Sequence, residues 1–258
     1  MFTGEKNGKG TAMTSTRDDS GQFYSELSNY YDGLFSVEPE EMAFIAGRIK
    51  GLSPVLDVGC GTGNRTEHLC AGRSRIIGID LDAGMIERAR EAHARDCIRY
   101  EVMDMAAIGG AFAGERFGAI LCLGNTLVHL DSPEAVADFC RTVYGLLEQG
   151  GLFVIQILNY DRILRNTVGS LPALESPEAV FTRRYAWEGG RMHFITELRV
   201  KATGLTVPGD AVLYPLRRHE LDAALRNAGF SATEYYGSYA GGPPHDDSFV
   251  TIAICRKA

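Results

Sequence analysis

The stretch VLDVGCGTG at residues 55–63 decides the fold of this 258-residue chain. An apolar strand runs directly into Gly59, Gly61 and Gly63, and a helical pattern follows. Glycines in such a turn let the backbone approach a ligand closely, and the start of a helix offers unpaired N–H groups. The stretch therefore predicts a ligand-binding loop at the carboxyl end of a buried strand.

The rest of the pattern predicts a sheet around this first strand. Strands are predicted at four further apolar segments, namely 75–81, 97–105, 117–125 and 151–158. Strands that alternate with helices and are apolar on both faces indicate an α/β fold whose parallel sheet is covered on both sides. The last two strand segments, 230–236 and 248–255, leave no room for a crossover helix and are therefore predicted to be antiparallel.

A second unit interrupts the main pattern. Residues 179–188 and 191–201 flank Gly189-Gly190, which predicts a hairpin, and a segment near 210–214 extends it. We therefore expect three regions: a flexible leader at 1–20, a main domain with an N-terminal lid at 21–160 and 216–258, and an antiparallel insertion at 161–215.

The composition is that of a globular protein, with 45% hydrophobic and 23% charged residues. The net charge of −7 is a poor match to nucleic acid and to anionic membranes. The six cysteines have neither CxxC nor zinc spacing, and we expect buried small residues of a reducing compartment. Because the first 20 residues carry no apolar signal segment, we expect a cytoplasmic protein.

The glycine loop and the next strand together predict the class of ligand. Asp80 ends that strand, where a carboxylate can accept hydrogen bonds from both hydroxyls of a ribose. A dinucleotide fingerprint needs a glycine at position 64, but Asn64 stands there and the loop has the spacing G-x-G-x-G. Asp57 inside the first strand is unfavourable beside a pyrophosphate and suits a cationic ligand. The pattern predicts a cofactor that contains a nucleoside.

At these residues the chain resembles the class I S-adenosylmethionine (SAM) dependent methyltransferases, whose first motif VLDVGCGTG matches throughout. GIDLDAGMI (78–86), VMDM (102–105) and ILCLGNTLVHL (120–130) are similar to further motifs of the family. The resemblance covers about residues 22–160 and 216–256. It implies an α/β, Rossmann-like doubly wound sheet of seven strands with the last one antiparallel. It also implies SAM as methyl donor and S-adenosylhomocysteine (SAH) as product.

The same resemblance implies which residues bind the cofactor. In order along the chain they are Asp57 beside the cationic part, Gly59, Gly61 and Gly63 against the methionine part and ribose, Asp80 at the ribose hydroxyls, Leu81 and Met85 beside the adenine, Asp104 and Met105 at the adenine amino group, and Leu123 through its backbone carbonyl at the SAM ammonium. Methyl transfer mainly requires the nucleophile, methyl carbon and sulfur to lie in line, so we expect no catalytic triad.

Further polar and aromatic residues are expected on the acceptor side. They are Tyr24, Tyr30 and Tyr31 in the lid, Asn125 and His129 after the fourth strand, and Tyr236, Tyr239 and His245 after the last parallel strand. Tyr24, Tyr31 and His129 are the candidates for catalysis, because aromatic faces stabilise a cation and a histidine can accept a proton. We expect no metal site.

These features predict SAM-dependent methylation of a small molecule, more at nitrogen than at oxygen. GNTLVHL is similar to the motif of glycine/sarcosine-type and amino-sugar N-methyltransferases, and the Asn/Asp-Pro-Pro-aromatic motif of base and amide methylation is missing. O-methylation, a non-catalytic SAM-binding protein and a nicotinamide-dependent oxidoreductase are the alternatives. The acceptor and the oligomeric state, with a homodimer as one option, are left open.

Overall fold

A computed structural model describes residues 18–70 and 75–258, with side chains in the first helix from residue 23 onward. Residues 1–17 of the predicted leader lie outside the described residues. The last three residues of the predicted leader, 18–20, belong to a helix that begins at Asp18. The described helices are α1 Asp18–Ser28, α2 Tyr31–Leu34, α3 Pro39–Arg48, α4 Asn64–His68, α5 Ala83–Ala92, α6 Ile108–Ala111, α7 Pro133–Leu146, α8 Tyr160–Arg165 and α9 Arg218–Ala228.

The strands of the described residues form two sheets. They are β1 Val55–Val58, β2 Ile76–Asp80, β3 Ile98–Val102, β4 Phe117–Cys122, β5 Leu147–Leu158, β6 Ser170–Glu175, β7 Ala179–Glu188, β8 Arg191–Val200, β9 Thr206–Leu213, β10 Thr233–Tyr236 and β11 Val250–Arg256. Each predicted strand is present, and the bounds differ from the predicted ones by a few residues. The strand β6 was not predicted, because SLPALE lacks a strict alternation and contains a proline.

The main sheet has seven strands in the order β10-β11-β5-β4-β1-β2-β3. β1 lies between β2 and β4 and is parallel to both. β11 is antiparallel to β5 and to β10, which confirms the predicted antiparallel last strand. Because β10 therefore runs in the same direction as β5, the loop after β10 leaves the sheet at the same edge as the glycine loop.

Apolar side chains cover both faces of this sheet. One face is buried under α7, whose inward stripe is Val136, Phe139, Cys140 and Val143. The opposite face is buried under the Met42, Ile45 and Ile49 side chains of α3 and its end. Full burial of each large aliphatic side chain contributes about 1.5–3 kcal/mol, so the central strands form a rigid support for the loops at their ends.

The small sheet has the order β6-β7-β8-β9 and is antiparallel throughout. Its central hairpin turns at Gly189 and Gly190, which have φ of 57° and 79°, a backbone conformation that glycine adopts without strain. Helix α1 packs against both α5 and β9, so the N-terminal segment bridges the two sheets. The division of the chain into domains at residues 160 and 216 stays a prediction.

Four of the six cysteines are buried free thiols, as expected: Cys60, Cys122, Cys140 and Cys255. The expectation is wrong for the other two, because Cys70 and Cys97 form a disulfide between the end of α4 and the start of β3. The two cysteines are 27 residues apart in the sequence, and the folding of the sheet brings them together, so their spacing did not predict the pairing. Within the described ranges, no helix combines the length and apolar character needed to cross a membrane.

Candidate active site

The glycine loop joins β1 to α4 in a backbone conformation that side chains disfavour. Gly59, Gly61 and Gly63 have φ of 71°, 57° and 79°, in the left-handed region that glycine favours. A Cβ atom at Gly59 would lie 2.4 Å from the Thr126 side chain, and one at Gly63 would lie 2.5 Å from the Tyr100 hydroxyl. The loop is therefore packed closely on both sides, which explains why glycines stand at these positions.

Asp80 holds the glycine loop from the end of β2. Its Oδ2 accepts a hydrogen bond of 2.9 Å from the Gly61 N–H, and its Oδ1 accepts one of 3.0 Å from the Asp82 N–H. Burial raises the pKa of Asp80, and these backbone hydrogen bonds oppose the effect. The carboxylate thus lies where the sequence predicted it, whereas the neighbouring Leu81 side chain is 70% exposed.

A small cavity of about 30 Å³, partly open to solvent, lies beside the glycine loop. Its wall is formed by the lid, by β1 with the glycine loop and the start of α4, and by the residues after β4. The wall residues are Tyr31, Asp57, Gly59, Cys60, Arg65, Leu123, Gly124 and Thr126. Two of these residues, Asp57 and Arg65, carry opposite charges. Such a wall suits a zwitterionic group that also contains an apolar part.

Asp57 is a buried carboxyl group on this wall. Thr66 Oγ1 donates a hydrogen bond of 2.6 Å to its Oδ2. Burial raises the pKa of Asp57 from 3.8 to about 6, although the Thr66 hydrogen bond and the Arg65 charge oppose the rise. A cation in the cavity would stabilise the ionised form of Asp57, which is the chemistry predicted for this position.

Arg65 and Glu41 form a partly buried ion pair that sequence reasoning missed. Arg65 Nε lies 2.9 Å from Glu41 Oε1, and the two side chains are only 19% and 7% exposed. Arg65 follows the glycine motif by two residues, and Glu41 lies in α3, so only the fold brings them together. The guanidinium on the cavity wall is suited to hold a carboxylate.

The lid residues lie over the glycine loop. Tyr31 stacks on Phe35, with ring centroids 4.5 Å apart, and its ring would be 3.6 Å from a Cβ atom on Gly61. Burial raises the pKa of Tyr31 and of Tyr24, and the Asp80 charge adds to both effects. The structure therefore brings Tyr24 and Tyr31 together near Asp80, while Tyr30 packs in the apolar cluster of the lid.

A polar network fixes this lid to the main sheet. Thr62 Oγ1 donates to Asp32 Oδ1 at 2.5 Å, and His93 Nε2 lies 2.8 Å from Asp32 Oδ2. The other ring nitrogen of His93 contacts the Glu67 carboxylate. Since Asp32 follows Tyr31 directly, this network positions the tyrosine that lines the cavity.

The segment after β4 supplies the wall opposite the lid. The Leu123 carbonyl, predicted to receive the SAM ammonium, accepts hydrogen bonds from Thr126 N at 3.2 Å and from Thr126 Oγ1 at 2.7 Å. Asn125 donates through Nδ2 to the Tyr160 hydroxyl at 3.1 Å, and its Oδ1 accepts from the Leu158 N–H at 2.9 Å. Both polar atoms of the Asn125 side chain therefore already bind the protein.

His129 is the last residue of the short helix that follows β4. Thr126–His129 is a 3-10 helix, in which side chains three residues apart lie on one face, so His129 shares the face of the cavity residue Thr126. Desolvation by surrounding atoms lowers the pKa of His129, although part of the residue remains exposed. His129 is exposed, and a histidine with a lowered pKa is neutral at neutral pH and can accept a proton.

The predicted adenine contacts lie farther along the sheet edge. Met85 is 3% exposed and belongs to the apolar cluster of Phe23 and Leu27, so α1 covers it. Asp104 is exposed, and its Oδ1 accepts from the Ala106 N–H at 2.8 Å. Met105 packs partly against the main core. The structure leaves the adenine roles of these residues as predictions.

The predicted residues after β10 separate into two groups. Tyr239 packs edge to face on Phe44, with centroids 5.7 Å apart, and burial together with Glu41 raises its pKa. It therefore lies behind the Arg65–Glu41 pair at the cavity. Tyr236 packs on Phe44 and under Arg48, and His245 lies in an exposed turn. Neither Tyr236 nor His245 lines the cavity.

Comparison with protein families identifies the domain that carries this site. The family model described as a methyltransferase domain matches residues 55–151. A glycine/sarcosine N-methyltransferase of Parasynechococcus marenigrum is 26% identical over 223 residues, which cover 79% of this chain and 72% of that protein. A ubiquinone biosynthesis O-methyltransferase of Psychrobacter cryohalolentis is 31% identical over 109 residues, which cover 41% of this chain and 40% of that protein. The chain thus spans less than half of the second relative.

Solved structures share the fold. The CcbJ methyltransferase from Streptomyces caelestis has a TM-score of 0.77 at 22% identity, covering 93% of this chain and 99% of that one. The SAM-bound CalS10, an amino pentose methyltransferase from Micromonospora echinaspora, has a TM-score of 0.66 at 22% identity, covering 90% and 97%. These similarities extend over both sheets.

Proposed function

Because the chain belongs to the class I SAM-dependent methyltransferases, we propose that it transfers the methyl group of SAM to a nitrogen atom of a small-molecule acceptor. The observation that carries the choice of nitrogen is the length of the match to the N-methyltransferase. It covers 79% of the chain and so includes part of the small sheet, whereas the match to the O-methyltransferase covers 41%. The net charge of −7 further favours a small molecule over nucleic acid.

The residues at the cavity fit the cofactor of this family. SAM supplies a methyl group on a positively charged sulfur and also carries an ammonium, a carboxylate and a ribose. Asp57 and Arg65 offer the opposite charges for the ammonium and the carboxylate, and Asp80 lies at the strand end suited to ribose hydroxyls. Gly59 lines the cavity through its backbone, and the space that a side chain there would need is occupied by Thr126, another residue of the wall.

The acceptor side needs alignment, exclusion of water and a place for one proton. Tyr31 and Tyr24 present aromatic groups over the loop and stabilise positive charge near the reacting sulfur. An amine that arrives protonated must lose a proton before it attacks, and the neutral His129 can accept that proton. Most of the rate enhancement then comes from holding the reactants in line.

O-methylation is the second candidate function, and the match to the ubiquinone biosynthesis O-methyltransferase favours it. That match is confined to about 109 residues. Paired acceptors decide between the two functions. Each pair is an amine and the alcohol of the same carbon skeleton, incubated with SAM, and mass spectrometry measures one added methyl group.

The binding of the cofactor is measured first. Calorimetric titration with SAM, SAH and NADH should give binding of the first two alone. In the acceptor panel, methylated amines with unchanged alcohols support the proposal. Methylated alcohols with unchanged amines favour O-methylation, and SAM binding without turnover of any acceptor contradicts both.

A further inference from the structure

An arginine occupies the inward face of the small sheet. Side chains along β7 alternate between two faces, so Phe181, Arg183 and Tyr185 lie on one face and Arg184 on the other. Phe181 and Tyr185 are 3% and 9% exposed, and Arg184 is exposed to solvent. A charged side chain between two buried aromatic ones needs a partner or a function.

Arg183 has no acidic partner among the described residues. Its Nη2 donates to the Pro172 carbonyl at 2.7 Å, and its guanidinium lies 5.7 Å from the centre of the Phe181 ring. Its Nε is buried and has no hydrogen-bond acceptor. Desolvation lowers the pKa of Arg183, which is the effect expected when a cation is buried without a counter-charge.

A second guanidinium approaches the same place from the main domain. Arg162 of α8 lies 5.3 Å from the centre of the Phe249 ring, and its Nε is also buried without an acceptor. Within residues 18–70 and 75–258, no carboxylate forms an ion pair with Arg162 or Arg183, although other surface arginines have such pairs. Buried donors without acceptors are rare in folded proteins, and two cationic ones are rarer still.

Both arginines lie close enough to the Tyr185 hydroxyl for their charges to act on it. Burial raises the pKa of Tyr185 to about 12, and the charges of both Arg183 and Arg162 oppose that rise. The Tyr185 hydroxyl is buried near that of Tyr160 but makes no hydrogen bond of normal geometry. Two guanidinium groups from two separate elements therefore lie near this hydroxyl, and the Nε atom of each lacks an acceptor among the described residues.

Two chains of side-chain contacts connect the surroundings of Tyr185 with the cavity beside the glycine loop. The Tyr160 hydroxyl accepts from Asn125, which stands between the cavity residues Gly124 and Thr126. On the other side, Phe181 packs edge to face on Phe35 at 5.8 Å, and Phe35 stacks on a cavity tyrosine.

A small second cavity of about 10 Å³, partly open to solvent, continues along the same face. Its wall includes Tyr24, Phe194, Thr196 and the acidic residue Asp210. Thr196 is paired with Arg183 in the β7–β8 ladder. Tyr24, which lies near Asp80, thus connects the arginine with the cofactor side.

We propose that Arg162, Arg183 and Tyr185 form a subsite for an anionic oxygen group of the methyl acceptor, either a carboxylate or a phosphate. The planar guanidinium binds both groups with paired N–H donors, and the tyrosine hydroxyl adds a third donor. This assignment rests on the proposed function, because it takes the acceptor to be a small molecule. It extends that function by predicting an acceptor with a negative charge at one end and the methylated atom at the other.

The test measures binding and therefore does not depend on turnover. Acetate, methylphosphonate and acetamide are titrated calorimetrically into the whole 258-residue chain saturated with SAH. We expect an anion to bind and the neutral acetamide not to bind, and the stronger anion identifies the acceptor group. The variant Arg183→Gln should weaken anion binding about 10- to 100-fold, the range for one charge-assisted hydrogen bond. Arg162→Gln should have a similar effect.

Matched controls come from neighbouring arginines. Arg184→Gln removes a charge one residue away on the opposite face of β7, and Arg165→Gln removes an exposed charge from α8. Both should leave anion binding within twofold of the wild type, and none of the four variants should change SAH affinity. Because Arg183→Gln removes a partly buried charge that has no acidic partner among the described residues, its Tm should be unchanged or higher.

Several outcomes would overturn the assignment. These are equal binding of acetamide and acetate, no anion binding by the wild-type protein, or Arg183→Gln and Arg162→Gln binding anions as the wild type does. Should Arg183→Gln unfold, Arg162→Gln and the wild-type titration still decide. Anion binding that depends on the arginines, without methylation of any amine, would support the subsite and reject the nitrogen assignment.

Discussion

Asp57→Asn tests whether the buried carboxyl group on the cavity wall serves a cationic ligand. Burial raises the pKa of Asp57 from 3.8 to about 6 in the folded protein. The folded state therefore binds the proton more tightly than the unfolded state does. That contribution to stability is complete below pH 3.8 and is lost as the pH rises through about 6. At neutral pH the ionised carboxylate destabilises the protein in the absence of ligand.

The two pKa values set the magnitude. A rise from 3.8 to about 6 corresponds to about 3 kcal/mol at 1.36 kcal/mol for each pKa unit. The amide oxygen of the introduced asparagine can still accept from Thr66 Oγ1, so that hydrogen bond is retained. We expect the unfolding free energy at neutral pH to rise by up to about 3 kcal/mol, with a much smaller change near pH 4. The affinity for SAH should fall about 10- to 100-fold, because its ammonium loses a charged partner.

Urea unfolding at the two pH values and calorimetric titration with SAH measure both effects. Asp138→Asn is the control, because Asp138 is an exposed carboxylate in α7 that pairs with Arg141. It should change the unfolding free energy by less than about 1 kcal/mol and leave SAH affinity unchanged. A loss of stability in Asp57→Asn at neutral pH, together with unchanged SAH affinity, would refute the reasoning.

Three further changes test other parts of the site. Asp80→Ala should weaken SAM binding, measured by calorimetry, about 100-fold or more. The control Asp82→Ala removes only the cap of α5, so it should lower the unfolding free energy by about 1 kcal/mol and change SAM affinity little. Gly63→Ala should lower the unfolding free energy by about 1–3 kcal/mol in urea, because its Cβ would lie 2.5 Å from Tyr100, and wild-type stability would contradict this. His129→Gln should abolish an acidic limb of kcat/KM below pH 6.5, since the wild-type histidine must be neutral; a limb that persists excludes it as the base.

The sequence predicts the cofactor half of the site because its determinants are local. Gly59, Gly61 and Gly63 lie within five residues at the end of one strand, and the structure places all three in the left-handed backbone region that glycine tolerates. Asp80 ends the next strand of the same β-α-β unit, and parallel pairing brings the ends of β1 and β2 together. The parallel pairing of the first five strands follows from the alternation of strands and helices, and the antiparallel β11 follows from a connection after β10 that leaves no room for a crossover helix.

Other parts of the site depend on contacts between distant segments, which no local pattern records. Arg65 is paired with Glu41 across 24 residues, and the disulfide of Cys70 and Cys97 closes 27 residues. Asn125 was expected at the substrate, but both polar atoms of its side chain bind Tyr160 and β5. A residue type and its place after a strand therefore predict proximity to the site, whereas the partner of each side chain depends on tertiary packing.

Arg183 illustrates why the acceptor remains hidden in the sequence while the cofactor does not. In the sequence it is one of two adjacent arginines, and a pair of charges usually lies at the surface. The β7 ladder separates the two residues onto opposite faces, and only the inward one meets Arg162 and Tyr185. The cofactor class is indicated by one short segment, the glycine loop at residues 55–63. Acceptor specificity instead requires side chains brought together from the small sheet and the main domain. We therefore expect acceptor specificity to change with substitutions at Arg183 and Arg162 while the affinity for SAM stays constant.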